Sequence, residues 1–379
     1  MSLPTPLARP ESGTAPPGDT LAAAARFIGS EVYRGSSYGG WHPLRIPRVS
    51  TVMDLARAMG WLPRTRYLTS PRARPRALRL FHTPDYVAAL QRAEASGAVS
   101  AEVRQRHNIG TSSNPVFPEI FRRPATSAGG TMLAAELVAA SGGVVHVPGG
   151  GTHHAFPDSA NGFCYLNDPV LCLKVLRRAG LRRIAYVDID AHHCDGVEPA
   201  FAGDPGALED EAGGSGFNLP VPRGLNDTEM RAILQGLILP RLAAFRPEAV
   251  VLQCGSDALQ EDPLSRLCLS NNAHVEVAVA LRDSAPAVVV LGGGGYNPWS
   301  VARCWTSVWA ALSGQHIPER LPPAAEAVLR GIVWPKARVG LDPPEHWFTT
   351  LRDAPREGEV RPEIGERLAV LARRPDPAG

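Results

Sequence analysis

The chain has 379 residues, of which 44% are hydrophobic and 20% charged, and its net charge at pH 7 is +2. This composition is typical of a globular protein with a sizeable core, and the balanced charge gives no overall field that would attract nucleic acid or a membrane. No apolar run is long enough for a membrane-spanning helix, and six cysteines without a C-x-x-C pair indicate reduced thiols. We therefore expect a cytoplasmic protein that contacts neither nucleic acid nor membrane.

The first third of the chain predicts a tail followed by helices. Residues 1–25 are rich in Pro, Ala, Gly and Thr, which favours a loose N-terminal tail. His42 lies in a loop and is interpreted as a hydrogen-bonded residue rather than a ligand. Thr83 is a helix cap, with a proline directly after it at the first helical position. Helices are predicted over 49–59, 84–96 and 125–140.

From residue 144 onwards, predicted strands and helices alternate. The strands are 144–147, 183–188, 248–253 and 287–291, and the helices are 168–178, 230–245, 272–280 and a tryptophan-rich segment after residue 296. Such an alternation predicts an α/β fold with a parallel sheet. Right-handed crossovers place the loops after the strands at one edge of the sheet, where ligands of α/β proteins bind.

These loops carry the residues whose chemistry indicates a site. Each set follows or ends a different strand, so the topology alone predicts that they converge. The residues are His153 and His154 after the first strand, Asp188, Asp190, His192 and Asp195 around the second, Asp257 after the third and Tyr296 in a glycine-rich loop after the fourth.

The D-x-D-x-H spacing of Asp188, Asp190 and His192 favours a metal site. Alternate residues of a strand share a face, so the two aspartates point the same way. Zinc binds imidazole nitrogen and carboxylate oxygen, and a second carboxylate commonly orients an imidazole. The alternative is a strand end with solvated acids and a core histidine. Asp257 could likewise cap a helix, and Tyr296 could be an ordinary buried tyrosine.

If Asp190, His192 and Asp257 hold one zinc ion, the remaining residues complete an amide hydrolase. A bound metal lowers the pKa of water and polarises a carbonyl. His153 and His154 can then take the proton of that water and return it to a leaving amine. The other carboxylates, Asp188 and Asp195, orient the two imidazoles, and the hydroxyl of Tyr296 can donate to a developing oxyanion.

These residues and the motifs around them resemble the zinc-dependent histone deacetylase family, which includes acetoin utilisation proteins and acetylpolyamine amidohydrolases. The matching stretches are H-P at His42, F-H-T-P-D-Y at Phe81, N-P-V-F-P at Asn114, G-G-G-T-H-H-A-F, N-G-F-C-Y-L-N-D, Y-V-D-I-D-A-H-H-C-D-G-V, L-Q-C-G-S-D-A-L, D-P-L and G-G-G-G-Y, spread over about residues 40–310. The resemblance implies a single-domain, arginase/deacetylase-like three-layer α/β fold with a central parallel sheet. We expect this domain over residues 26–352, followed by a C-terminal surface tail at 353–379.

The resemblance also implies roles for individual residues. It implies zinc, with Fe²⁺ as the other possibility, on Asp190, His192 and Asp257. It implies His154 as general base and acid backed by Asp195, His153 as its electrostatic partner backed by Asp188, Tyr296 as the oxyanion donor, Phe163 as one wall of an acetyl-lysine tunnel and the Gly162 carbonyl as a substrate acceptor. A two-metal, arginase-type site would want a second carboxylate two residues after Asp257, where this chain has Leu259.

The implied function is hydrolysis of the amide of acetyl-lysine in a peptide or protein, or of an acetylated polyamine or other small amine. Two departures qualify this expectation. A strand and loop of the family pattern are missing near residues 203–216. This loss removes ligands of the family's structural monovalent-cation site next to Asp188, so the presence of that cation is an open question. Ser113 occupies the position of a substrate-clamping aspartate. The missing segment gives the alternative of a catalytically weak homologue that binds acyl-lysine, and Ser113 favours a small acetylated amine over a peptide.

Overall fold

The computed structural model describes residues 25–35, 38–39, 42–201, 217–334 and 342–373. Its strands are β1 (Arg26–Gly29), β2 (Tyr67–Thr69), β3 (Gly143–Val147), β4 (Ile184–Asp188), β5 (Ala249–Gln253) and β6 (Ala287–Leu291). They form one all-parallel sheet in the order β2-β1-β3-β6-β5-β4. The predicted parallel sheet is therefore confirmed.

Helices connect the strands. The α-helices are α1 (Val32–Gly35), α2 (Val49–Ala58), α3 (Pro75–Leu78), α4 (Pro84–Ser96), α5 (Ala101–His107), α6 (Arg122–Ser141), α7 (Asp168–Arg178), α8 (Asp227–Ile233), α9 (Leu239–Phe245), α10 (Asn271–Arg282), α11 (Pro298–Leu312), α12 (Pro323–Arg330), α13 (His346–Thr349) and α14 (Pro362–Ala372). A π-helical turn (Leu234–Ile238) joins α8 to α9, and 3-10 turns occur at Pro43–Arg45, Glu198–Ala200 and Ser256–Ala258.

The sheet is the middle of three layers. Alternate residues of a strand point to opposite faces, so Val288 and Val290 of β6 pack with α2, α10 and α11 on one face. Val289 and Leu291 of the same strand pack with α6 and α7 on the other. All five residues of β3, β5 and β6 are buried, so these strands read as nearly continuous apolar runs in the sequence, with His146 in β3 and Gln253 at the end of β5 as the polar members.

The predicted elements from α2 onwards are confirmed to within a few residues, and local sequence explains their ends. The hydroxyl of Thr83 accepts the backbone N–H of Tyr86 and caps α4. The helix predicted over 230–245 begins earlier, at Asp227, because Asn226 and Glu229 form a capping box. Strands β1 and β2 were not predicted.

Two predicted features fall on residues that the structure does not describe. The N-terminal tail at 1–25 lies outside the described residues except for Ala25, which is buried. The segment at 203–216, where a strand of the family pattern is expected to be missing, also lies outside the described residues. Among the described strands, β4 forms one edge of the sheet.

The folded domain continues beyond the predicted boundary at residue 352. Asp353 is buried and pairs with Arg303 of α11 at 2.7 Å. The backbone N–H of Arg356 donates to Asp227 at 2.8 Å, and α14 follows. Residues 353–373 are thus bonded to the domain, which corrects the expectation of a surface tail there, and residues 374–379 lie outside the described residues. None of the described helices is long and apolar enough to cross a membrane.

Candidate active site

The three predicted metal ligands come together at the carboxyl ends of β4 and β5. Asp190 and His192 lie in the loop after β4, and Asp257 lies in the short 3-10 turn after β5. One ligand atom from each side chain lies within 4.8 Å of the other two. Among the residues that the structure describes, this is the one group of at least three such side chains close enough to share a metal ion.

Surrounding groups orient both carboxylates. Asp190 accepts hydrogen bonds from the backbone N–H of Gly294 at 2.8 Å and from the side-chain amide of Gln253 at 3.0 Å. Asp257 accepts one from the N–H of Ala191 at 3.1 Å. A Cβ atom at Gly294 would overlap the Asp257 carboxylate. The loop after β6 can therefore lie against both ligands only with glycine at this position.

The charges of this group suit a divalent cation. Burial and repulsion from Asp190 raise the pKa of Asp257. Hydrogen bonds to Asp190 and Asp257 raise the pKa of His192 to about 10, so its imidazolium balances the two carboxylates when no metal is present. Zinc takes this combination of nitrogen and oxygen ligands. Metal binding would replace the proton of His192, since the ligand must be neutral imidazole.

His153 is fixed as the charged member of the histidine pair. Its Nδ1 lies 2.8 Å from the Asp188 carboxylate, which also accepts the hydroxyl of Tyr186 at 2.7 Å. Burial alone would lower the pKa of His153, but Asp188 and Asp190 together raise it to about 9. The side chain is therefore protonated at neutral pH.

His154 is fixed as the neutral member. Its Nδ1 lies 2.6 Å from Asp195, whose other oxygen accepts the amide of Asn161 at 2.9 Å. Burial and the positive charge of His153 lower the pKa of His154, against the attraction of Asp195. The Nε2 atoms of the two rings are 3.1 Å apart. His154 thus keeps a basic Nε2, and its ring lies 6.1 Å from that of His192 in the metal group.

Tyr296 and Phe163, here called the aromatic pair, lie beside these residues. Their rings are 5.8 Å apart and nearly perpendicular. Burial, with the nearby charge of Asp257, raises the pKa of Tyr296 well above its usual value, so the hydroxyl remains a proton donor. Gly162 packs directly on His154, because a Cβ atom at Gly162 would lie 2.5 Å from that ring.

The structure also adds residues to which the sequence analysis gave no role in the site. Gln253 contacts both Asp190 and His153 and receives the backbone N–H of Gly255 at 2.7 Å. Its position as the polar end of an apolar strand was a signal that could have identified it. Asn161 lies in a polar loop and gives no comparable signal.

The chain is similar to known proteins over most of its length. A family model described as "Histone deacetylase domain" matches residues 42–209 and 204–312. Histone deacetylase 1 of Oryza sativa subsp. japonica is 34% identical over 314 residues, which are 76% of this chain and 59% of the rice protein. The acetoin utilization protein AcuC of Bacillus subtilis is 29% identical over 327 residues, or 78% of this chain and 84% of AcuC. The chain thus spans about three-fifths of the rice protein and most of AcuC.

Solved structures give the same result. The crystal structure of an HDAC homologue from Aquifex aeolicus matches with a TM-score of 0.86 and 36% identity, and the match covers 92% of this chain and 99% of the homologue. A crystal structure of an HDAC homologue complexed with SAHA matches to the same extent.

Proposed function

Because the chain belongs to the histone deacetylase family, we propose that it is a zinc-dependent deacetylase acting on acetyl-lysine in a peptide or protein, or on an acetylated polyamine or similar small amine. One observation carries the proposal. The metal group (Asp190, His192, Asp257) lies beside a histidine pair whose two members are held in opposite charge states.

Each group of residues has its own role in the proposed amide hydrolysis. A zinc ion on the metal group would supply a Lewis acid and a more acidic water. His154 takes a proton at Nε2 and returns it to the departing amine, while Asp195 holds its Nδ1. His153 stays charged against Asp188 and favours negative charge in the transition state. Tyr296 donates its hydroxyl to the oxyanion.

The substrate would approach along the aromatic pair. We assign Phe163 as one wall of the passage for the aliphatic chain and the carbonyl of Gly162 as a hydrogen-bond acceptor for the substrate. Ser113 has no carboxylate with which to clamp a peptide backbone, so acetylated small amines are included as substrates. Fe²⁺ could occupy the same ligands as zinc, and a monovalent cation next to Asp188 is left open.

The free cysteines among the described residues support a reducing compartment, and we place the protein in the cytoplasm.

The test is release of acetate from an acetyl-lysine peptide and from an acetylpolyamine, assayed side by side with zinc content measured on the same sample. We expect release that a chelator abolishes and added zinc restores. A zinc-loaded protein that binds an acetylated ligand without releasing acetate would instead support the catalytically weak acyl-lysine-binding homologue.

A further inference from the structure

The backbone N–H of each member of the aromatic pair is hydrogen-bonded to a side-chain oxygen from another loop. The backbone N–H of Phe163 donates to Oδ1 of Asn114 at 3.1 Å, and the backbone N–H of Tyr296 donates to Oδ2 of Asp262 at 2.7 Å. Both acceptors are buried, with exposed fractions of 0% and 6%, and neither belongs to the metal group. We propose that Asn114 and Asp262 are positioning residues that set the geometry of the aromatic pair for the proposed amide hydrolysis.

The backbone of Asn114 is fixed by hydrogen bonds within its own loop. Its backbone N–H donates to the hydroxyl of Thr111 at 3.2 Å, and its carbonyl accepts the N–H of Gly110 at 2.7 Å. Among the described residues the side-chain nitrogen of Asn114 has no acceptor. The carboxamide therefore has one hydrogen bond, to the backbone of Phe163.

The backbone at Phe163 needs such support. Phe163 has a φ of +70°, in the left-handed region that residues with a Cβ atom disfavour. The ring is also contacted edge-on by His42 at 4.5 Å, and Nε2 of His42 lies 3.1 Å from the carbonyl of Ser113, the neighbour of Asn114. Both contacts tie the turn at Gly162 and Phe163 to one loop, so the loop determines where the aromatic wall stands.

Asp262 binds the backbone of Tyr296 as Asn114 binds that of Phe163. One carboxylate oxygen accepts the N–H of Tyr296, and the other accepts the N–H of Leu264 at 2.9 Å. The backbone N–H of Asp262 itself donates to the carbonyl of Leu259 at 3.0 Å. The backbone of Tyr296 is therefore anchored to the turn after Asp257, which sets the point from which the hydroxyl reaches the site.

The two positioning residues should affect different kinetic constants. A wall contacts the substrate in the ground state and in the transition state, so loosening Phe163 raises KM and leaves kcat nearly unchanged. The hydroxyl of Tyr296 acts on charge that develops in the transition state, so loosening Tyr296 lowers kcat and leaves KM nearly unchanged.

The experiment uses isosteric replacements that remove the acceptor. We expect Asn114→Leu to raise KM by about tenfold and Asp262→Leu to lower kcat by about tenfold, the effect of one lost hydrogen bond to a buried N–H. Asn114→Asp and Asp262→Asn keep an acceptor oxygen and should recover most of each loss. Hydrogen exchange measured by mass spectrometry provides a readout that does not require turnover: peptides with Phe163 or Tyr296 should exchange faster only in the matching leucine variant.

Asn271→Leu is the matched control, because Asn271 is also buried and hydrogen-bonded to backbone groups, but in the C-terminal part of the domain. It should lower stability without separating KM from kcat. The proposal is overturned if the control reproduces either kinetic effect, or if both leucine variants keep the kinetics and exchange of the parent. Should a leucine variant not fold, the alanine variant replaces it with the same expectation. A parent protein that releases no acetate would contradict the proposed function, whereas the exchange measurement would still test the two anchors.

Discussion

At the scale of single residues, the site depends on neighbours that are chemically alike and electrostatically different. His153 and His154 are adjacent in the chain, yet one has a raised pKa and the other a lowered one. Two aspartates face His153, whereas His154 faces one aspartate and the charge of His153. A pair of titratable groups with pKa values pushed apart is the arrangement that assigns one to charge stabilisation and the other to proton transfer.

Tyr296→Phe tests the donor of this site. The variant should lower kcat by about a hundredfold to a thousandfold, the usual effect of removing one oxyanion donor. Its zinc content should equal that of the parent, because Tyr296 is not a ligand. Tyr86→Phe, which removes another buried hydroxyl bonded to a carbonyl at 2.7 Å, is the control and should retain turnover. Equal turnover in Tyr296→Phe and the parent would refute the donor role.

His82→Gln tests a buried histidine outside the metal group. Burial lowers the pKa of His82 to about 4, and its Nε2 accepts the backbone N–H of Asn167 at 2.9 Å. Between pH 6.5 and 4 the unfolded chain binds the proton and the folded chain does not, so the free energy of unfolding falls as pH falls. The total loss is about 3 kcal/mol below pH 4, and none occurs above pH 6.5.

Glutamine keeps an acceptor and does not titrate. The free energy of unfolding of His82→Gln, measured by urea denaturation, should therefore depend less steeply on pH between 6.5 and 4 than that of the parent. His316→Gln, at an exposed position, should leave the parent slope. If the free energy of unfolding of His82→Gln depends on pH as steeply as that of the parent, His82 does not cause the loss of stability at low pH.

At the scale of elements, the loop after β6 is as important as the ligands that it covers. Gly294 donates its N–H to Asp190 and has no room for a Cβ atom beside Asp257. Gly294→Ala should therefore reduce zinc affinity by at least about tenfold, measured by competition with a chromogenic chelator, because positioning errors around ligating carboxylates have effects of this size. Gly236→Ala, in the π-helical turn where a Cβ atom has space, should bind zinc like the parent. Parent-like affinity in Gly294→Ala would contradict this packing argument.

Elements of this domain were predictable where a local pattern sets them. The strand Ala287–Leu291 is a run of buried apolar residues between turn signals, and its predicted bounds agree with the structure. Strand β2 has three residues, none of them buried, and β1 has four. Both are strands because they pair with each other and β1 pairs with β3, which no local window contains.

The same distinction applies to the site. Topology placed Asp190, His192 and Asp257 together from residues 67 positions apart, because strand ends share one edge of a sheet. The contacts of Asn114 with Phe163 and of Asp262 with Tyr296 depend instead on the paths of long loops. Periodicity does not describe those paths. The motifs N-P-V-F-P and D-P-L include the two residues, but their contacts became visible only in three dimensions.

At the scale of the whole molecule, residues 353–373 are part of the domain. Asp353 is 3% exposed and balances the guanidinium of Arg303, which is 1% exposed. Its backbone and carboxylate also bond to Asn271 at the start of α10, at 3.0 Å each. Further along, Glu229 is fully buried and pairs with Arg361. The C-terminal segment thus supplies charges that the interior requires.

A chain ending at residue 352 should be less stable than one ending at residue 373 by at least about 3–5 kcal/mol, because removal of one partner leaves the guanidinium of Arg303 buried without its carboxylate. Asp353→Asn in the full chain isolates the charge from the rest of the segment and should account for much of this loss. Arg330→Gln removes an exposed ion pair with Glu345 and should change stability by less than about 1 kcal/mol. Urea denaturation followed by circular dichroism measures all three. Equal stability of the two chain lengths would mean that the domain ends at residue 352 after all, and that the buried pair with Arg303 contributes nothing to it.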